Sequence, residues 1–206
     1  MIDPMARAVD VVLSDRLVGR WRSRLCSGAR GVVLDLGFGS GRNLEHFGPE
    51  VTEVLAVDPS DSGWELAQQR IAKVPYPVRR AGIDAASIDI ADDSVDTVTT
   101  AWTMCTIPEL GAALAEVGRV LRPGGELRFV EHSLAPHSRV QRFQRFIQPL
   151  WGRFSGGCHV DRNILQLLAD AGFSVYEVNR RYAFPGIPLK PWAWFVTGRA
   201  SFEPPA

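Results

Sequence analysis

Short apolar runs rich in β-branched residues alternate along the chain with longer stretches whose apolar positions recur every three or four residues, the alternation of an α/β sheet. Met5 to Cys26 places Val9, Val12, Leu13, Leu17, Trp21 and Leu25 roughly on one stripe, which predicts a single N-terminal helix closed by Ser27-Gly28-Ala29-Arg30-Gly31. Val32-Val33-Leu34-Asp35-Leu36, bounded by glycines, reads as a first strand buried on both faces. A helix from near Arg42, a strand at Glu53 to Val57, a helix across Ser60 to Lys73 and a strand around Val78 to Ala81 follow. Val95 to Ala101 is the fourth strand, Ile107 to Leu121 a helix stopped by Arg122-Pro123-Gly124-Gly125, and Leu127 to Val130 the fifth strand.

The rhythm breaks over residues 131–157. Prolines, a glycine pair and the aromatics Phe143, Phe146, Trp151 and Phe154 suggest an inserted lid or acceptor-pocket segment there. A helix from about Asp161 to Ala171 then leads to strands at Phe173 to Arg180 and Ala193 to Gly198. Pro185, Gly186, Pro188 and Pro191 make their connection too proline-rich for a crossover helix, so the two should close the sheet as an antiparallel hairpin. The expected architecture is a doubly wound, mostly parallel α/β sheet of seven strands. Residues 1–28 form a helix or lid over its ligand edge, and residues 29–206 one domain.

Composition trims the functions this fold could serve. At 206 residues and 46% hydrophobic, the chain suits one compact domain. Lys plus Arg and Asp plus Glu are equal at 23 each, so no net field draws it to nucleic acid, and a nucleic-acid partner is not expected. Arg16 to Arg24 and Arg139 to Arg145 are basic at helical spacing, either solvated faces or the footing of a weak peripheral membrane contact. Cys26, Cys105 and Cys158, odd in number and widely spaced, match neither a disulfide framework nor a four-ligand zinc site; no metal set is expected, and a reducing, cytoplasmic setting is. Asp3, Arg7, Asp10, Asp15 and Arg16 break up the N-terminus, which has no apolar run of signal-peptide type. Nothing in the pattern fixes an oligomeric state.

The chemistry gathers where the first strand ends. Gly37, Gly39 and Gly41 follow Asp35 at the opening of a helix, where a ligand approaches backbone amides only if side chains are absent. A dinucleotide fingerprint needs its third glycine one residue later, and that residue is Arg42. Asp58 ends the second strand, where a carboxylate can accept both hydroxyls of a ribose lying across the strand edges.

Taken in order, Asp35-x-Gly-x-Gly-x-Gly41, Asp58, Asp84-Ala85 before Asp92-Asp93-Ser94-Val95-Asp96, and Leu121-Arg122-Pro123-Gly124-Gly125 resemble the successive signatures of class I S-adenosylmethionine-dependent methyltransferases. Thr103-Met104-Cys105-Thr106-Ile107, Glu131-His132 and Gly156-Gly157-Cys158-His159 with Arg162 resemble, more narrowly, the methyltransferase-like thiol methyltransferases and related bacterial enzymes. The resemblance implies a Rossmann-like methyltransferase fold and S-adenosyl-L-methionine as cofactor. It implies that Asp35 and the glycine loop lie against the methionine part, that Asp58 with Pro59 holds the ribose, and that Ile83 and Asp84 reach the adenine, with Ala101 in the same crevice.

The implied reaction is a direct in-line transfer of the methyl group to a small, partly apolar acceptor, a thiol before other classes. Phosphatidylethanolamine-type N-methylation and a non-catalytic cofactor-binding module are the alternatives. A thiol, with a reference pKa of about 8.5, must lose its proton. His132, after the fifth strand, and His159, with Asp161 as its partner, are the candidate bases. Cys105 and Cys158 read as buried packing groups or pocket lining, since direct transfer needs no covalent intermediate. Trp102 and Trp151 are either pocket walls or ordinary core aromatics.

Overall fold

The computed structural model describes residues 2–183 and 190–203. Its strands are β1 (Gly31–Leu36), β2 (Val51–Val57), β3 (Val78–Gly82), β4 (Val95–Ala101), β5 (Leu121–His132), β6 (Phe173–Tyr182) and β7 (Trp194–Phe202). They form one sheet in the order β3-β2-β1-β4-β5-β7-β6. The first five are parallel, and β7 runs antiparallel to both β5 and β6. Both the seven strands and the antiparallel closure match the sequence reading; Pro185, Gly186 and Pro188 of the connection lie outside the described residues. The order reverses between β1 and β4, and in such sheets the ligand crevice lies outside the carboxyl ends of the strands at that point.

Alternation along the strands sorts side chains onto two faces. Leu34, Leu36, Leu55, Val57, Val98 and Leu127 go to one face, under α4 (Leu110–Val120) and α6 (Ile164–Asp170). Val33, Val54 and Ala56 go to the other, against Phe38, Leu44 and the Ala67 methyl of α3 (Asp61–Ile71). Further along that face, Val18, Trp21 and Leu25 of α2 (Asp15–Cys26) cover Ala101, Val130 and Phe195. Each such leucine or valine taken wholly from water contributes about 1.5–3 kcal/mol. Asp35 shares the parity of Val33, so its carboxyl is driven into the face that α2 covers.

Three expectations change. The single N-terminal helix is two, α1 (Pro4–Val12) and α2, because Ser14 adopts an extended conformation as N-cap of the second. Of the predicted stripe only Trp21 and Leu25 are buried; α1 has no buried residue, its Val9 and Val12 face solvent, and Leu17 of α2 is half exposed. The helix expected from Arg42 is a single 3-10 turn, Arg42–His46, entered through Gly41 in the left-handed conformation.

The third change concerns the aromatic segment, which is a helix, α5 (Ser138–Phe154), with the opposite polarity to the one expected. Its buried side chains are Gln144 and Gln148. Gln144 Nε2 donates to the carbonyls of Val160 and Pro191 at 2.9 Å, and its Oε1 accepts from the Ala135 amide at 2.9 Å. Gln148 donates to the Cys158 carbonyl at 3.0 Å and accepts from the Val160 amide at 3.1 Å. Two glutamines thus satisfy backbone groups that burial would otherwise strand at about 1–3 kcal/mol each. The aromatics point outward instead: Phe146 is 82% exposed and Phe154 70%. Trp151 is turned in against Trp192 at 5.2 Å between ring centres, and Phe143, 46% exposed, meets the same ring edge-to-face at 6.4 Å. No described helix is long and apolar enough to cross a membrane.

Candidate functional site

β1 ends at Leu36 and the chain turns through Gly37 and Gly39, both at positive φ. A Cβ on Gly37 would collide with the Thr103 side chain, so only glycine lets the loop after β4 lie against this turn. The Gly39 amide donates to Asp58 Oδ2 and the Ser60 amide to Asp58 Oδ1, each at 2.8 Å. Asp58 is therefore fixed beside the glycine loop with carboxylate lone pairs to spare. Burial raises its pKa, and the Ser60 and Gly39 hydrogen bonds offset part of that rise.

Asp35 is fully buried. Its Oδ1 accepts from Asn43 Nδ2 and Thr99 Oγ1 at 2.8 Å each, and Oδ2 has no partner among the described residues. Asn43 in turn accepts from Arg22 at 2.6 Å, and the Arg22 guanidinium lies 5.1 Å from the Trp102 ring centre. A buried polar chain thus runs from α2 into the sheet. Burial pushes the Asp35 pKa up to about 6, although the Asn43 and Thr99 hydrogen bonds pull against it.

A carboxyl whose folded pKa lies above its unfolded value adds most stability at low pH and loses it as pH rises through that window. From about 3.8 to about 6, at 1.36 kcal/mol per unit, the loss comes to about 3 kcal/mol. Urea denaturation of the ligand-free protein should show the wild type losing that much relative to Asp35→Asn between about pH 3 and 7. A stability difference between the two that does not move with pH would mean that this carboxyl is not held in a desolvated state.

The remaining cofactor candidates end neighbouring strands on the same edge. Pro59 is exposed just past Asp58; Ile83 and Asp84 follow β3, both exposed, with Asp84 Oδ1 accepting from the Ala86 amide at 2.9 Å; Ala101, buried, closes β4. Above the loop, Asp10 of α1 accepts two hydrogen bonds from Arg42 at 2.7 Å each and one from Ser40. The residue whose place rules out a dinucleotide fingerprint is thus the anchor for α1.

Beyond β4 and β5 the structure assembles a second group. Cys105 and Cys158 are buried with their sulfurs 3.5 Å apart, and His132 Nδ1 is 3.7 Å from each. Their mutual hydrogen bond, with burial added, pushes the Cys105 thiol well up; the same bond with Cys105, and then His132, draws the Cys158 thiol down. The His132 ring meets Phe195 edge-on at 5.0 Å. His159 stands apart: its side chain is 42% exposed and its Nδ1 is 3.6 Å from Asp161, while its backbone amide donates to the Cys105 carbonyl. Trp102 packs in the core under α2, and Trp151 borders the cysteines.

Several residues at this edge escaped sequence reasoning. Arg22, Asn43, Thr99 and Asp10 carried a faint signal, charge or polarity interrupting an apolar stripe. Glu131, noted only within a motif, is wholly buried and accepts hydrogen bonds from the amides of Thr103, Met104 and Cys105 and from the Thr100 hydroxyl.

With this geometry in view, similarity to known proteins becomes informative. The methyltransferase domain family matches residues 34–129. The chain is 31% identical over 172 residues to Thiol S-methyltransferase TMT1B of Rattus norvegicus, covering 82% of this chain and 69% of the relative. Across the mammalian thiol S-methyltransferases it matches, it spans 59% to 69% of their length. It is 29% identical over 153 residues to Phosphatidylethanolamine N-methyltransferase of Cereibacter sphaeroides, covering 71% of this chain and 72% of that one. A SAM dependent methyltransferase from Aquifex aeolicus shares the fold, with a TM-score of 0.61 at 18% identity over 97% of this chain and 93% of that one. On that identity and coverage, with the sheet order and glycine turn described above, the chain belongs to the class I S-adenosylmethionine-dependent methyltransferases.

Proposed function

We propose that this enzyme methylates a small, partly apolar acceptor, with a thiol as the favoured class. The residues at the strand edge suit the family's cofactor. Asp35 Oδ2 is a buried acceptor without a donor among the described residues, the counterpart an ammonium group needs, and bare backbone at Gly37 and Gly39 admits a nucleoside closely. Bound there, the cofactor supplies the methyl group on a sulfonium cation. We assign Asp35, Gly37, Gly39 and Gly41 to its methionine portion, Asp58 and Pro59 to the ribose, and Ile83 and Asp84 to the adenine, with Ala101 lining the crevice. The Asp10 contacts make α1 the lid over this cleft.

One observation carries the acceptor class: beyond β4 and β5 Cys105 and Cys158 pack with Trp151 and Trp192 in a soft, aromatic cluster, with His132 beside the two sulfurs. Such a surface favours sulfur or hydrocarbon over a phosphate or carboxylate, which would lose its hydration unpaired. His159, next in the chain to Cys158 and paired with Asp161, passes the acceptor's proton to solvent, and His132 lines the pocket. The rat relative's name agrees with this class.

A second reading has its own support. Phe146, Leu150 and Phe154 stand exposed on α5 beside Arg139, Arg142, Arg145 and Arg153, as on a helix lying at a lipid surface, and the Cereibacter relative is named for a phospholipid acceptor. A labelled-methyl assay over alkyl and aryl thiols, phenols, amines and phosphatidylethanolamine vesicles distinguishes the two. We expect thiols to be labelled above all others. Labelling of the lipid headgroup alone, with cosedimentation on those vesicles, would replace the thiol reading by the lipid one. Cofactor binding without labelling of any acceptor would leave a binding module.

A further inference from the structure

We propose that Cys105 Sγ, Cys158 Sγ and His132 Nδ1 form a three-ligand site for a divalent cation of the zinc class. The three atoms make a nearly equilateral triangle of 3.5, 3.7 and 3.7 Å. A tetrahedral zinc ion with ordinary bond lengths sets its sulfurs roughly 3.8 Å apart and each sulfur roughly 3.6 Å from the nitrogen. The triangle therefore accepts the ion after shifts of a few tenths of an ångström. A disulfide would instead need the sulfurs to approach to about 2.05 Å, a shift of roughly 1.5 Å in a packed core.

The ligands come from three separate places, the loop after β4, the end of β5 and the turn after α5, so no sequence spacing announces them. Each is held before any ion arrives. Glu131 accepts from the Cys105 amide at 3.2 Å, Gln148 donates to the Cys158 carbonyl at 3.0 Å, and Phe195 packs edge-to-face with the His132 ring. Two thiolates and a neutral imidazole cancel the charge of a divalent ion, so the buried site carries no net charge. Two cysteines and a histidine with a fourth position left over is the ligand count of catalytic rather than structural zinc. Cys105 lies two residues, at most roughly 7 Å, beyond Thr103, whose side chain abuts Gly37, so the site borders the glycine loop.

The site stands whatever the acceptor is; its use in the reaction rests on the thiol reading. A thiol taking the fourth position exchanges its S–H bond for an S–metal bond and releases one proton to solvent, arriving as the thiolate that methylation needs. His132 then serves as a ligand, which explains a histidine set between two sulfurs rather than beside a carboxylate.

Cobalt(II) titration of the reduced, chelator-stripped full chain tests the site without any turnover. One cobalt per chain should bind with thiolate-to-cobalt charge-transfer absorption, and zinc should displace it. Loss of outer-shell partners alone costs 10–100-fold in affinity, so Cys158→Ser and His132→Ala should each weaken uptake by more than about 100-fold, and Cys26→Ser should not. His132→Ala and Cys158→Ser keep the test open if Cys105→Ser does not fold. A titration lacking charge-transfer absorption, or equal uptake by wild type and Cys158→Ser, overturns the proposal. Adding a small thiol to the cobalt form should shift its spectrum. An unchanged spectrum removes the acceptor role while leaving the metal site, whereas unlabelled thiols in the methylation panel sink the thiol reading itself.

Discussion

Asp58→Ala should weaken S-adenosylmethionine binding by roughly 100-fold or more, measured by titration calorimetry. The carboxylate ends β2 at the edge where the sheet order reverses, and the Gly39 and Ser60 amides leave lone pairs free on both of its oxygens. Two ribose hydroxyls donating to a charged, partly buried acceptor are worth about 1.5–3 kcal/mol each, and even the lower sum corresponds to roughly 100-fold. Alanine also releases the Gly39 amide, so loop disorder could imitate loss of a ribose contact. Asp58→Asn keeps the shape and one oxygen acceptor, but its NH2 then faces the Gly39 or the Ser60 amide, donor against donor, so it should fall between wild type and alanine in affinity while lowering ligand-free stability by about 1–3 kcal/mol. Binding by Asp58→Ala at wild-type affinity would move the nucleoside away from this edge and with it every assignment made along the crevice.

How much of this was legible in the sequence follows from the range of the forces involved. Val32 to Leu36, Val95 to Ala101 and the glycine loop were readable because a buried parallel strand and a close backbone turn each impose a local pattern. The break at Ser14 was hidden, since a stripe that continues through a cap looks like one helix until tertiary packing selects its last two positions, Trp21 and Leu25. α5 was misread for a related reason. Apolar periodicity assumes that the core is hydrophobic, whereas here the element must satisfy the stranded carbonyls of Cys158, Val160 and Pro191, and glutamines do that where phenylalanines would not. The Cys105, His132 and Cys158 group could not be seen at all. Spacing reports a metal or redox set only when its members share a loop or helix, and these three meet through strand order alone.

Glu131→Ala should cost at least about 4 kcal/mol of stability, most of what a domain at the low end of the usual range of about 5–15 kcal/mol has. The carboxylate lies at the centre of four donors: Oε1 takes Thr100 Oγ1 and the amides of Thr103 and Met104 at 3.0–3.1 Å, and Oε2 takes the Cys105 amide at 3.2 Å. Burial raises its pKa, and those hydrogen bonds work against the rise. Alanine would leave three backbone amides and a hydroxyl without partners in a dry place, at about 1–3 kcal/mol apiece with partial relaxation. Glu131→Gln separates folding from function. With its oxygen at the Oε1 position the amide keeps Thr100, Thr103 and Met104, but its NH2 then faces the Cys105 amide, donor against donor. Stability should fall by only about 1–3 kcal/mol in urea denaturation, while methyl transfer and cobalt uptake fall much further, because the displaced residue carries one of the three ligand atoms. A glutamine variant that loses stability and activity in equal measure would make Glu131 a prop for the fold and nothing more. An alanine variant within about 1 kcal/mol of wild type would mean that the loop after β4 finds its donors' partners elsewhere.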